Sequence, residues 1–102
     1  MSLFLLLTIL NPDYSEYHLR RGIAAQMSAK YELAITSYAA ASELDSNLIE
    51  SRLFSAECYL KIGKFEKAKE EFWNAKAITE NMQVDDEIVD LLNSVESTIK
   101  NN

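Results

Sequence analysis

The sequence predicts an all-α chain, a solenoid of helix–turn–helix units closed by a C-terminal capping helix. Three observations predict it. The 102 residues include only two glycines and one proline, far fewer punctuators than a turn-rich sandwich or barrel needs. Apolar residues recur at helical spacing in segments separated by very short turns. The chain also matches itself when shifted by 34 residues, a period that belongs to stacked helical hairpins.

The elements follow in order. Leu3 to Leu10 is apolar enough to serve as the centre of a signal peptide, but no basic residue precedes it and no small-residue cleavage site follows. It is also far short of the roughly 20 residues that span a bilayer. It reads as the end of a buried helix stopped at Pro12, since proline disfavours helix in the residue before it. Residues 1–12 are therefore expected to be the second helix of a repeat whose first helix is absent. On that expectation Leu3, Phe4, Leu7 and Leu10 form a self-association surface and make a homodimer one partner arrangement.

Helices are then predicted over 15–28, 31–45, 49–62, 65–79 and 86–100. Asp13 and Asn47 read as N-caps, each followed three residues later by a glutamate, Glu16 and Glu50. That capping-box pattern satisfies amides left unpaired at a helix start. Asp85 is the expected cap of the last helix, with Val84 and Val89 placed as a hydrophobic staple. Ile88, Leu91, Leu92, Val95 and Ile99 form one stripe on it, as a helix shielding the final repeat from water should. The organisation predicted is one domain, 1–102, with units at 1–12, 13–46, 47–80 and a capping helix at 85–100.

The 34-residue shift pairs Gly22 with Ala56, Ala29 with Gly63, Tyr31 with Phe65, Ala34 with Ala68, Tyr38 with Phe72, and Ala41 with Ala75. Small residues recur where the two helices of a unit would cross, and large aromatics recur where neighbouring units would meet. Chance pairing of two amphipathic hairpins does not match size at so many positions. This pattern resembles the tetratricopeptide repeat.

Composition excludes several function classes. Sixteen acids against ten bases give a net charge of −6, which argues against binding a phosphate backbone or an anionic membrane. The excess is concentrated late: residues 80–102 hold six acids and Lys100 alone. That tail reads as a solvated face, with steering of a basic partner as the alternative. The lysines of 61–76, interleaved with Glu66, Glu70 and Glu71, likewise read as a solvated face. Cys58 is the only cysteine and His18 the only histidine, too few for a disulfide framework or a four-ligand zinc site. As a nucleophile pair they lack a third orienting residue, and there is no glycine-rich phosphate loop. No enzyme, catalytic residue, metal or cofactor is expected, and a hydrolase using Cys58 is a distant reading. His18 and Cys58 read as packing residues, and Trp73 as packing against the capping helix.

The finer order of residues is more specific. Gly22 and Gln26 precede Tyr31-Glu32-Leu33-Ala34-Ile35-Thr36-Ser37-Tyr38. After Asp45 come Ala56-Glu57-Cys58-Tyr59-Leu60, then Gly63, Ala68, Phe72 and Ala75. This resembles the class II chaperones of bacterial type III secretion, the translocator chaperones of the SycD/LcrH type, over essentially the whole chain. Arg21 and Arg52 stand where that family is expected to carry larger apolar or proline residues. The resemblance implies a chaperone of the bacterial cytoplasm whose client is an apolar secreted translocator protein. A generic tetratricopeptide-repeat scaffold for protein–protein interaction is the alternative.

In such a stack the first helix of each unit lines a concave groove. Helix 15–28 has a packing stripe of His18, Gly22 and Ala25, and a second stripe of Leu19, Ile23, Gln26 and Met27. Helix 49–62 repeats this with Leu53, Glu57 and Leu60, with Phe54 alongside. One stripe suffices for packing, so the second is either covered by neighbouring helices or free to hold an extended apolar peptide. On the peptide reading the partner-binding residues are Leu19, Ile23, Gln26, Met27, Leu53, Phe54 and Leu60. Repeat domains that hold the acidic C-termini of heat-shock chaperones use a basic clamp in this groove. Leu19, Ile23 and Phe54 occupy those places, so that ligand class does not fit.

Overall fold

A computed structural model describes residues 14–101. Five helices follow one another: α1 (Tyr14–Met27), α2 (Tyr31–Leu44), α3 (Ile49–Lys61), α4 (Phe65–Thr79) and α5 (Asp86–Lys100). Each agrees with its predicted span to within one residue at either end. Residues 1–12, with the expected self-association surface at Leu3, Phe4, Leu7 and Leu10, lie outside the described residues, as does the proposed cap Asp13.

The two inner turns obey one design. At each, the last turn of a helix is closed by paired backbone bonds, Lys30 N to Ala25 O and Lys64 N to Tyr59 O, both 2.8 Å. The residue that bends the chain takes a left-handed conformation, Ala29 at φ 59° and Gly63 at φ 79°. The 34-residue shift that pairs them in sequence thus pairs them in backbone geometry. Glycine enters that region freely, whereas alanine pays about 1 kcal/mol to do so.

Helix starts are less uniform. Asp85 caps α5 by accepting a bond from Ile88 N at 3.0 Å, as expected. Val84 packs into the core, but Val89 is left exposed. Asn47 does not cap α3. Asp45 Oδ1 instead accepts a bond from Asn47 N at 3.1 Å, and the helix begins after Leu48 with no side-chain cap. The aspartate side chain turns the loop locally, which displaces the start by one residue.

Packing follows residue size. Ala34, Ala41, Ala56, Ala68 and Ala75 are fully buried, so the paired helices approach closely. Gly22 faces the ring of Tyr38, where a Cβ would come within 2.6 Å of Cδ1 and 2.9 Å of Cζ. Two clusters result. Leu19, Ala25, Ala34, Tyr38, Ala41 and Cys58 make one. Ile49, Leu53, Ala56, Ala68, Phe72, Ala75 and Val95 make the other, with the stripe of α5 laid against it. Helix α3 is central: it contacts α1, α2, α4 and α5. Between the hairpins, Ser51 Oγ donates to Leu48 O at 2.8 Å and lies 2.6 Å from Ser42 Oγ on α2. Ser42 is therefore the donor across the junction, and the fully buried Ser51 hydroxyl is satisfied.

Two sequence expectations are corrected. Trp73 does not pack under the capping helix. It stays 58% exposed, edge-on to Phe72, with Lys76 Nζ 5.2 Å from its ring centre. The stripe of α5 is already filled by Phe72, Ala75 and Ile78, and Trp73 sits one position round the helix from them. Leu19 and Leu53, expected in the groove, belong to the core.

Candidate functional site

A cleft of about 350 Å³ opens where α1, α2 and α3 meet. Ile23, Gln26 and Met27 come from α1, Tyr31 and Tyr38 from α2, and Phe54 and Lys61 from α3. Ile23, Phe54 and Tyr31 are half-buried, and Met27 is 83% exposed at the rim. Such a methionine is an adaptable apolar contact that can follow the shape of a ligand.

Beneath these side chains runs a polar chain. Tyr38, with no exposed surface, donates its hydroxyl to Gln26 Oε1 at 2.7 Å. Gln26 Nε2 donates in turn to Glu57 Oε1 at 3.3 Å. A buried phenol needs an acceptor, and Gln26 supplies it. The order of donors fixes the glutamine amide, because an ionised Glu57 can only accept. Burial pushes the Glu57 carboxyl above its ordinary value, while the bond from Gln26 and the charge of Lys61 pull it back. Burial also raises the Tyr38 hydroxyl, with the neighbouring Cys58 and Glu57 adding to it. The Cys58 thiol, fully buried, is pushed up to about 12 by burial and by Glu57. A thiol held in that state is protonated at neutral pH, as suits a small apolar packing residue.

Of the seven residues expected to bind a partner, four converge on this cleft: Ile23, Gln26, Met27 and Phe54. Leu19, 6% exposed, is roofed by α2, which Gly22 allows to come close. Leu53, with no exposed surface, is enclosed because α3 packs on all four other helices. Leu60 is half-buried against the core cluster shared with α4 and α5. Tyr31, Tyr38 and Lys61 were missed. For the two tyrosines the cue lay in the aromatic phase of the repeat, which pairs them with Phe65 and Phe72; Lys61 carried no such signal.

Phe54 also walls a second cleft, of about 510 Å³, between α3, the α4–α5 loop and the start of α5. Its floor is apolar, with Ile49, Val84, Ile88 and Leu91, and its charged lining residues are Glu50, Asp85 and Glu87. On the α2–α4 side a third cleft, of about 420 Å³, is polar, lined among others by Ser42, Glu43, Ser55, Arg52 and Glu71. There Arg52 Nη1 lies 3.5 Å from Glu71 Oε2, both side chains about a quarter exposed. Burial raises the Glu71 carboxyl and Arg52 offsets it. His18 sits beside the rings of Tyr14 and Tyr17, at 5.7 and 5.3 Å. Among the described residues, no helix is long and apolar enough to cross a membrane, and no group of three or more His, Cys, Asp and Glu could hold a metal.

The helical arrangement carrying these clefts is shared with solved structures. The Yersinia enterocolitica type III secretion chaperone SycD, in complex with a peptide of the translocator YopD, superposes with a TM-score of 0.76 at 26% identity. The match covers 95% of this chain and 72% of that one. An alternative dimer of the same chaperone gives 0.77 at 27% identity, over 95% and 71% of the two chains. PcrH, in complex with the chaperone-binding region of PopD, gives 0.75 at 25% identity over the same shares. This chain has the fold of the type III secretion translocator chaperones. The resemblance read from Gly22 to Ala75 and the tetratricopeptide-like architecture are both borne out. The chain spans as little as 65% of the length of a solved translocator chaperone. No protein-family model matches the sequence, and no curated protein matches it.

Proposed function

We propose that this chain is a cytoplasmic chaperone of a bacterial type III secretion system, and that it holds an apolar segment of a translocator protein on its α1–α3 face. The observation that carries the proposal is the cleft itself. Four half-buried or exposed apolar side chains from three helices, Ile23, Met27, Tyr31 and Phe54, surround a space with a single charged residue, Lys61. SycD and PcrH, which share the fold, are each seen with a translocator segment bound. The function is protection rather than catalysis. An extended client segment loses apolar surface to the cleft at about 25 cal/mol per Å². A few anchored side chains then supply micromolar affinity after the cost of ordering the segment. Pairing with a second copy of the chain is part of the same reading, since SycD forms dimers.

Co-expression with a translocator, YopD as the first probe, followed by affinity purification, tests the reading. The parent chain should keep the translocator soluble and co-purify with it. Ile23→Asp and Phe54→Ala should each lose at least 90% of the co-purified translocator while keeping the parent's helical signal. Leu53→Ala, which opens a core cavity instead, should lower stability by about 2–5 kcal/mol. Full recovery of translocator with both cleft variants would refute the assignment.

A further inference from the structure

The two clefts that share Phe54 differ in charge. On the α1 side the charged lining residue is Lys61. On the α5 side the charged lining residues are Glu50, Asp85 and Glu87, without a lysine or arginine among the residues that line it. Both floors are apolar, so one extended segment crossing Phe54 can bury side chains in each. Glu57, beneath the α1-side cleft, offsets Lys61 there, so the carboxylates that no lining base balances are those over α5. We propose that the groove selects an apolar segment with basic side chains on the part that lies over α5, and that this charge polarity sets the direction in which the segment binds.

Several facts support it. Asp85 is committed to capping α5, but Glu50 and Glu87 make no ion pair among the described residues. Both lie in first helical turns, where the helix dipole favours the ionised carboxylate. Residues 80–102 carry six acids and one base, so the α5 end attracts cations from a distance as well as at contact. A like-charged segment would be repelled at this end, which confers selectivity as much as attraction does. The proposal rests on the reading of the groove as a peptide site.

A phage-displayed library of random 12-residue peptides, selected against the purified chain, tests both readings separately. The expected result is enrichment of peptides with two or more apolar anchors and with Lys or Arg concentrated at one end. A Glu50→Gln/Glu87→Gln chain, selected in parallel, should keep the apolar anchors and lose the basic bias. For a fluorescent copy of the most enriched peptide, the double variant should bind at least fivefold more weakly at 50 mM salt, with the difference shrinking at 500 mM. Enriched peptides that are apolar without a basic end, or a basic end retained by the double variant, would overturn the charge proposal alone. Failure to enrich any apolar peptide would overturn the groove reading and this proposal with it.

Discussion

The chain contains two inter-unit junctions that the 34-residue shift makes equivalent, and they are built from opposite chemistry. At the junction of the first hairpin with α3, the contact runs through Tyr38, Gln26 and Glu57. The same positions at the junction of the second hairpin with α5 are Phe72, Leu60 and Leu91. The first is hydrogen-bonded and its Tyr38 and Gln26 line a cleft; the second packs Phe72 and Leu60 into the larger core cluster, and only Leu91 also reaches the α5-side cleft. An apolar junction closes because every surface gains by contact. A polar one holds its members at fixed distances and leaves a space whose walls cannot collapse without orphaning the Tyr38 hydroxyl. The α1-side cleft of the proposed binding face therefore lies where the repeat gives up apolar packing, and Phe72 and Leu60 stay in the core where the repeat keeps it.

Exchanging the aromatics tests this contrast most severely. Phe72→Tyr would bury a hydroxyl opposite Leu60 with no glutamine to receive it, and should cost about 1–3 kcal/mol in chemical denaturation. Tyr38→Phe removes a hydroxyl whose acceptor, Gln26, is only part-buried and can turn to water, and should cost about 1 kcal/mol or less. Phe72→Tyr proving the milder of the two would mean that the second junction has room or water, and the distinction drawn between the junctions would fall.

The turns sharpen the comparison further, since there the backbone is the same and only the residue differs. Gly63→Ala should destabilise by about 1 kcal/mol, because a Cβ is placed on a left-handed residue. No atom lies within 4 Å of that Cβ, so the cost is conformational and not a clash. Ala29→Gly should stabilise by a similar amount for the same reason. Thermal melts of the two variants and of the double exchange should give opposite shifts that nearly cancel. Shifts of the same sign would show that the two turns, alike in hydrogen bonding, differ in strain.

How much of this was legible in the sequence follows from what sets each feature. Helix spans and hairpin pairing were legible, because helical period and residue size are written locally at Ala34, Ala41, Ala68 and Ala75. Four of the seven residues lining the α1-side cleft were legible too, Ile23, Gln26, Met27 and Phe54. Leu19 and Leu53 were not, because both stripes of their helices are apolar and only the placement of a third helix decides which is covered. The Tyr38–Gln26–Glu57 chain was hidden for another reason. Its members lie 12 and 31 residues apart, and each alone reads as an ordinary repeat position. The second cleft depends on how the loop 80–85 carries α5 back across α3, which no local pattern specifies. Ala29, by contrast, could have been read as left-handed from its pairing with Gly63.

The smallest expected effect concerns the one charge within the polar junction. Burial raises the Glu57 carboxyl above the ordinary 4.5, with Gln26 and Lys61 acting in the opposite sense. The folded chain therefore holds this proton more tightly than the unfolded one. The group's contribution to stability is complete below 4.5 and is lost as pH rises through the folded-state value. At pH 7.5 the carboxylate is a net burden that an uncharged side chain of the same shape would not impose. Glu57→Gln keeps an oxygen to accept from Gln26 and removes the charge. Its melting temperature should exceed the parent's at pH 7.5, and the gap should close as pH is lowered toward 4.5. The equivalent position, Leu91, has nothing to titrate, so Leu91→Met should show no pH-dependent difference from the parent. A Glu57→Gln chain that melts below the parent at pH 7.5 would show that attraction to Lys61 outweighs burial. The first junction would then be held by charge as well as by hydrogen bonds.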